Sequence, residues 1–154
     1  MKRRPAPAPK RKAGLLQAFQ QALQLHQQGR LDRAEHHYKA ILAAQPNHFD
    51  AKHLLGVLRY QQGRNQEALE HISSALKLNS NSAAALSNFG LVLEKLGRSA
   101  DALASYDKAL ALKPDYAEAL NNRGIALRNL KRPADALASY DKALALNPNY
   151  VEAL

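Results

Sequence analysis

Histidine is the side chain in this 154-residue chain whose clustering first suggests chemistry, because several imidazoles close together can bind a metal ion. All six histidines lie between positions 26 and 71. No two are four residues apart, the spacing that brings two ligands to one face of a helix. We therefore predict no metal site and interpret them as surface residues: His26, His36, His37, His48, His53 and His71.

The sequence also lacks the residue patterns that are typical of catalytic sites. The chain has no cysteine, which excludes a thiolate nucleophile, a disulfide and a cysteine-bound metal. The glycines that follow Gly14 fall at fixed positions of a repeat, so they indicate packing and turns and not a phosphate-binding loop. Acidic and basic residues alternate as on solvated helix faces. We predict that this chain is not an enzyme and binds no cofactor.

Any functional side chain must be positioned by secondary structure, which we infer from a repeat of 34 residues. The repeat occupies residues 15–48, 49–82, 83–116 and 117–150, which we call blocks. Small residues at the eighth and twentieth positions allow two antiparallel helices to cross closely, and a large residue at the twenty-fourth fills the space beside the crossing. The eighth position holds Ala22, Gly56, Gly90 and Gly124, the twentieth Ala34, Ala68, Ala102 and Ala136, and the twenty-fourth Tyr38, Ile72, Tyr106 and Tyr140.

The turns between the two helices of a block also repeat. They read Gly-Arg at residues 29–30, 63–64 and 97–98, and Lys131-Arg132-Pro133 in the fourth block. Glycine at this place suits the end of a helix, and a proline near the end of most blocks closes the second helix. The pattern predicts eight helices in four antiparallel pairs.

With these positions the chain resembles tetratricopeptide repeat proteins over residues 15–150. The resemblance implies an all-α solenoid, a right-handed superhelix of helix pairs with one repeat in each block. It also implies binding to protein partners as the general activity.

The resemblance places the first helix of each repeat on the concave side of the solenoid. Positions 2, 5, 6, 9, 12 and 13 of that helix share one face, where amide side chains can both donate to and accept from a peptide backbone. We expect Asn88 and Asn122 to make such contacts. The candidate groove residues are His53, Tyr60, Ser87, Asn88, Lys95, Glu118, Asn121, Asn122 and Arg128.

A closer likeness lies in residues 117–124 and 136–144, which are similar to repeats of bacterial O-GlcNAc transferase-like (SPINDLY-type) proteins. In that group a repeat array precedes a glycosyltransferase domain, and asparagines at position 6 hold the acceptor polypeptide. Asn88 and Asn122 match this position, whereas Gln20 and Leu54 depart from it. The likeness implies that the chain is the substrate-selecting arm of a longer enzyme. The function that we predict is a protein interaction scaffold that binds extended polypeptide segments in the concave groove, and this substrate-selecting arm is the alternative.

Residues 1–14 form a segment of different composition. Six of the 22 basic residues of the chain lie in its first 12 positions, around alternating proline and alanine, and such a segment cannot bury a core. We predict a disordered basic tail that either only solubilises the chain or binds nucleic acid or an acidic membrane surface. No apolar run approaches the roughly 18 residues of a membrane span, so we expect a cytoplasmic protein.

The last residues continue the repeat. Residues 134–154 differ from residues 100–120 at only three of 21 positions, and 151–154 read as the opening of a fifth repeat. A repeat buries its apolar face only against its neighbours. We therefore predict that Leu137, Tyr140 and Leu144 face a missing helix, and that the chain frays or self-associates through this end.

Overall fold

A computed structural model describes residues 8–150, and within that range it contains eight α-helices and no strand. The all-α solenoid prediction is confirmed. Residues 1–7, which belong to the predicted tail, and 151–154, the predicted opening of a fifth repeat, lie outside the described residues. The helices are α1 (Ala8–Gln27), α2 (Leu31–Ala44), α3 (Phe49–Gln61), α4 (Asn65–Leu78), α5 (Ala83–Lys95), α6 (Ser99–Leu112), α7 (Ala117–Asn129) and α8 (Pro133–Leu146).

The helices stack as consecutive antiparallel pairs. Each odd-numbered helix packs on the even-numbered helix that follows it, and each of α2, α4 and α6 packs on the first helix of the next pair. Helix α5 also touches both α3 and α7. The first helices of the pairs therefore form a row along one side of the molecule.

The second, third and fourth pairs are each held together at a crossing where a side chain from the second helix fills the space above a glycine on the first. A Cβ atom added to Gly56 would lie 2.5 Å from Ile72 Cγ1, and one added to Gly90 would lie 2.6 Å from Tyr106 Cε1. A Cβ on Gly124 would overlap Tyr140 in the same way. The eighth and twenty-fourth positions thus meet as the repeat pattern predicts.

The turn inside each of the first three pairs uses a left-handed glycine, with φ of 72° at Gly29, 74° at Gly63 and 73° at Gly97. In the fourth pair Lys131 takes the same conformation, with φ of 61°. The N–H of Arg132 donates to the carbonyl of Leu127 at 2.9 Å. The backbone hydrogen bonds that end the helix therefore hold this lysine in a region that favours glycine.

The first helix begins earlier than the composition suggests. Residues 8–14, predicted to be disordered, belong to α1, so the prediction is wrong for this part of the tail. Pro9 is tolerated because it lies in the first turn, where its missing N–H has no partner to lose. Lys10, Arg11 and Lys12 are good helix formers and remain exposed.

The close crossing predicts opposite effects for one substitution at two sites. Gly90→Ala should destabilise the fold, because overpacking against the buried Tyr106 ring costs roughly 1–3 kcal/mol, more than the gain in helix propensity of about 1 kcal/mol. Gly14→Ala is the control, since no atom lies within 4 Å of its added Cβ, and it should stabilise. Urea unfolding of both variants tests this; equal effects would contradict it.

Lys131→Gly should stabilise the chain by about 0.5–1 kcal/mol. A left-handed non-glycine residue costs about 1–2 kcal/mol, and the greater freedom of glycine in the unfolded chain returns part of that difference. The reciprocal change Gly97→Lys should destabilise by a similar amount. Thermal unfolding of the two variants checks the pair, and a loss of stability in Lys131→Gly would show that the turn is not strained.

Candidate partner-binding groove

Two adjoining cavities lie along the row of first helices, and we call them together the candidate groove. Their volumes are about 160 and 520 Å³, and Tyr60 and Leu91 line both. The groove therefore runs from α3 across α5 to α7. The smaller cavity is completed by Val57, Gln61, Ile72, Asn88 and Val92, and the larger by Glu94, Lys95, Tyr106, Asn122 and Ile125.

The predicted groove residues separate into three groups. Tyr60, Asn88, Lys95 and Asn122 line the candidate groove. Glu118 and Arg128 are exposed on α7 and line neither cavity. The remaining three, His53, Ser87 and Asn121, are buried.

The placement of position 5 on the open face is wrong. His53, Ser87 and Asn121 are only 7%, 2% and 0% exposed. In the second and third repeats the following repeat covers this position, because His53 contacts Asn88 on α5 and Ser87 lies close to Tyr116, just before α7. The interpretation of the histidines as surface residues is wrong for His53 for the same reason.

The two asparagines expected to contact a partner differ in their surroundings. The Asn88 amide lies 2.9 Å from His53 Nε2, and burial, partly opposed by Asp50, lowers the pKa of His53. A neutral imidazole can accept from the Asn88 N–H, so one amide group is already engaged. Asn122 is half-buried in the larger cavity, and Asn121 has neither amide atom paired.

Unpaired polar atoms mark the larger cavity. The Tyr106 hydroxyl and Glu94 Oε1 are both buried and have no hydrogen-bond partner. In the first repeat Tyr38 occupies the position of Tyr106, and its hydroxyl lies 3.0 Å from His26 Nδ1. Because buried polar groups are nearly always paired, Tyr106 and Glu94 offer a donor and an acceptor to a bound molecule.

The chemistry of this pair suits a peptide group. Burial, with the nearby Glu94 carboxylate, raises the pKa of Tyr106, so its hydroxyl stays protonated and donates. Glu94 Oε1 can accept an N–H, and the Asn122 amide can do either. The repeat pattern assigned only a packing role to Tyr106. The second repeat has Ile72 at the same position, so packing there does not require a hydroxyl. This difference could have indicated a further role for the Tyr106 hydroxyl.

Side-chain hydrogen bonds join neighbouring first helices across this surface. His26 Nε2 lies 2.8 Å from Gln61 Oε1, and the Asn129 amide donates to Glu94 Oε2 at 2.7 Å. The contact of Asn88 with His53 makes a third such bridge. Each successive pair of first helices is therefore tied by at least one polar contact.

Two further cavities, of about 370 and 360 Å³, lie on the side of the second helices. Several of their polar groups pair within the chain. Ser105 donates to the Leu86 carbonyl at 2.7 Å, and Arg123 pairs with Asp107 at 2.6 Å. None of the unpaired buried atoms found in the described residues belongs to a residue that lines these cavities.

Other classes of site find no support in the described range. Between residues 8 and 150 no group of three histidine, aspartate or glutamate residues could hold a metal ion. No helix in this part of the chain is long and apolar enough to cross a membrane.

One buried charge pair belongs to the stacking of repeats and not to the groove. Arg59, 3% exposed, donates two hydrogen bonds to Glu35, at 2.7 and 2.6 Å. These bonds, and then one from Lys39, lower the pKa of Glu35 to about 2. The pair joins α2 to α3 at the positions where Leu69 and Leu93 join α4 to α5.

The fold and the groove define a class of protein, the helical-repeat solenoid with an open row of first helices. The sequence matches the tetratricopeptide repeat family over residues 17–83 and 87–151. The chain belongs to this family.

Solved structures share the fold. The chain is similar to PilF of Pseudomonas aeruginosa, with 26% identity and a TM-score of 0.85 over 94% of this chain and 66% of that one. It is similar to MamA, with 24% identity and a TM-score of 0.78 over 86% and 77%. A tetratricopeptide repeat protein from Parabacteroides merdae gives 28% identity and a TM-score of 0.76 over 90% and 56%. A search of curated proteins finds no match.

The Glu35 and Arg59 pair yields a prediction for stability. Glu35→Leu alone should destabilise by roughly 3–5 kcal/mol, because it leaves a buried guanidinium without its main partner. Adding Arg59→Leu should restore stability to the wild-type level or raise it by about 1–4 kcal/mol, since it recreates the leucine contact of the next interface. Urea unfolding at neutral pH measures both, and a double variant as unstable as Glu35→Leu would contradict the reasoning.

The same pair sets a pH dependence. The folded pKa of Glu35, about 2, lies below its ordinary value of 4.5, so its stabilisation is complete above about pH 4.5 and is lost as the pH falls towards 2. The double leucine variant lacks this contribution. Its melting temperature should therefore fall less than that of the wild type over this range.

Proposed function

We propose that this chain is a protein interaction scaffold that binds an extended polypeptide segment in the candidate groove. Membership of the tetratricopeptide repeat family supports binding to proteins in general. The observation that carries the finer proposal is the buried, unpaired Tyr106 hydroxyl beside Glu94 Oε1 in the larger cavity.

The groove offers two kinds of contact to such a segment. Tyr60, Leu91 and Ile125 give an apolar surface for a side chain. Tyr106, Glu94 and Asn122 supply a donor, an acceptor and an amide for the backbone beside it. An extended strand suits this arrangement because its backbone groups are unpaired, whereas those of a helix are satisfied internally.

The substrate arm of a glycosyltransferase is a specific form of this proposal, based on Asn88 and Asn122 at position 6. The matched family and the structural neighbours add no support for it. Of the two residues, Asn122 lines the larger cavity, while the Asn88 amide contacts His53. The geometry therefore favours general peptide binding, with Asn122 as the position-6 contact.

Binding of nucleic acid or acidic lipid by the basic tail and location in the cytoplasm are two secondary proposals. Lys10, Arg11 and Lys12 are exposed on α1, and a cluster of this sort attracts nucleic acid or acidic lipid in a salt-dependent way. We expect such binding, where it occurs, to be independent of the groove. We place the groove's activity in the cytoplasm, which suits a chain without cysteine.

A library of random twelve-residue peptides displayed on phage and selected on the immobilised chain tests the groove. Peptides that bind should lose about three- to tenfold in affinity with Tyr106→Phe or Asn122→Ala, the range expected for one hydrogen bond. The Tyr106→Phe variant should be as stable as the wild type, because the hydroxyl that it removes has no partner in the fold.

Tyr38→Phe is the matched control. It removes the same hydroxyl at the same repeat position, but one that is bonded to His26, so it should lower stability by about 1 kcal/mol and leave peptide affinity unchanged. The selected peptides could instead bind Tyr106→Phe and Asn122→Ala with unchanged affinity but fail to bind Lys108→Glu. The binding site would then lie on the side of the second helices, where Lys108 lines a cavity.

A further inference from the structure

One half-buried carboxylate in the described part of the molecule has no cation beside it. Among the acidic residues between positions 8 and 150, three are half-buried, namely Glu35, Glu67 and Glu94. Glu35 and Glu67 both pair with Arg59. No ion pair in this range involves Glu94. Its Oε2 accepts from the neutral Asn129 amide at 2.7 Å, so its charge is left uncompensated.

The other oxygen of this carboxylate belongs to the larger cavity of the candidate groove. Glu94 lines that cavity, and its Oε1 is buried without a hydrogen-bond partner. Burying a charge is costly unless it is paired, and the fold gives Glu35 two cations, Arg59 and Lys39. The last torsion of a glutamate side chain is broad, so a small rotation turns Oε1 towards the cavity. The cavity therefore contains an acceptor that lacks its counterion.

The surroundings of Glu94 suit a positive charge. The half-buried ring of Tyr60 lines the same cavity, and aromatic faces attract cations. A second carboxylate, Glu118, adds to the negative field. After burial, the charges of Glu94 and Glu118 both contribute to raising the pKa of Tyr106, whose hydroxyl lies unpaired in this cavity. A cation placed here is attracted by both carboxylates and by the ring.

The basic residue of the cavity itself does not fill this role. Lys95 lines the larger cavity next to Glu94, but it is exposed, and the two form no ion pair. At the equivalent positions of the first and second repeats, His26 meets Gln61. Between the second and third repeats the corresponding residues are Tyr60 and Lys95, and no hydrogen bond in the described residues joins them. The space beside Glu94 is therefore open.

We propose that the larger cavity binds a cationic side chain of the extended segment, an arginine or a lysine, with Glu94 as its counterion. The inference rests on the peptide binding proposed for the groove and adds the residue that the groove selects. The apolar stem of either side chain packs on Leu91 and Ile125. Glu94 then accepts from this side chain, while the Tyr106 hydroxyl and Asn122 serve the backbone.

Parallel selections of the random peptide library on the wild type and on Glu94→Gln test the assignment. Peptides selected on the wild type should share an arginine or a lysine at one aligned position, which also tells the two apart. Peptides selected on Glu94→Gln should lack it. Glutamine keeps an oxygen that can accept from Asn129, so this variant should keep its fold, which urea unfolding verifies.

Fluorescence anisotropy of one selected peptide measures the contact itself. Replacing its shared arginine by citrulline, a neutral group of similar shape, should weaken binding to the wild type about ten- to a hundredfold. A shared lysine is replaced by norleucine. The same replacement should change affinity for Glu94→Gln by less than about threefold, because the charge that it met is gone.

Two further variants separate a direct contact from the general field. Glu118→Gln makes the same charge change on α7, but Glu118 is exposed and lines neither cavity, so affinity should fall by less than about threefold. Lys95→Gln should strengthen binding, because it removes a positive charge from the rim of the cavity.

Failure of the groove and failure of this assignment give different results. Peptides that bind Tyr106→Phe and Asn122→Ala as well as the wild type would remove the groove, and the cation site with it. Peptides that require both side chains would keep the groove. The cation site is overturned if such peptides share no basic residue, if citrulline or norleucine leaves their affinity unchanged, or if they share an acidic residue that depends on Lys95.

Discussion

The close packing of a large side chain on a glycine is the contact on which the rest of the structure depends. In the second, third and fourth repeats the ring or aliphatic chain at position 24 occupies the space that a Cβ at position 8 would need. The two helices can approach this closely only because that atom is missing. Repeated at constant spacing, the crossing determines where each following helix lies. The row of α3, α5 and α7, and the groove along it, are consequences of this contact.

The interfaces between successive repeats use different kinds of contact at equivalent positions. Leu69 and Leu93 join the second repeat to the third, whereas Glu35 and Arg59 join the first to the second. Removing two charges from water is costly, and the cost is recovered only when their hydrogen bonds are satisfied. Here Gln62 accepts a further hydrogen bond from the guanidinium and Glu67 lies 3.2 Å from Arg59 Nε, but this Nε has no hydrogen-bond partner. The first interface thus depends on protonation, while the second depends on apolar area.

Residues whose role is steric were the most predictable from the sequence. Positions 8, 20 and 24 follow from the repeat because each crossing needs the same volumes. Position 5 was misplaced because a helical period gives the face on which a residue lies, but not whether the next helix covers it. His53 and Ser87 are buried by a neighbour whose distance depends on the whole stack.

The polar part of the groove was less predictable for a related reason. Whether a tyrosine hydroxyl is free depends on the residue at position 12 of its own repeat. His26 meets Tyr38, while Glu94 does not meet Tyr106. The start of α1 was also missed, since a proline that usually indicates extended chain is acceptable in the first turn of a helix.

The bridges between first helices give the groove a mechanical property. The contacts of His26 with Gln61, Asn88 with His53 and Asn129 with Glu94 act as short ties along the inner side of the stack. They link neighbouring repeats in addition to the packing of the helices, through hydrogen bonds that are exposed or only partly buried. In the proposed groove, a segment that bonds to the Asn88 amide would compete with its contact to His53, whereas one that bonds to the unpaired Glu94 Oε1 would leave the bond from Asn129 to Oε2 in place. If the proposed segment takes Asn88, the angle between the second and third repeats can then differ between the empty and the occupied groove.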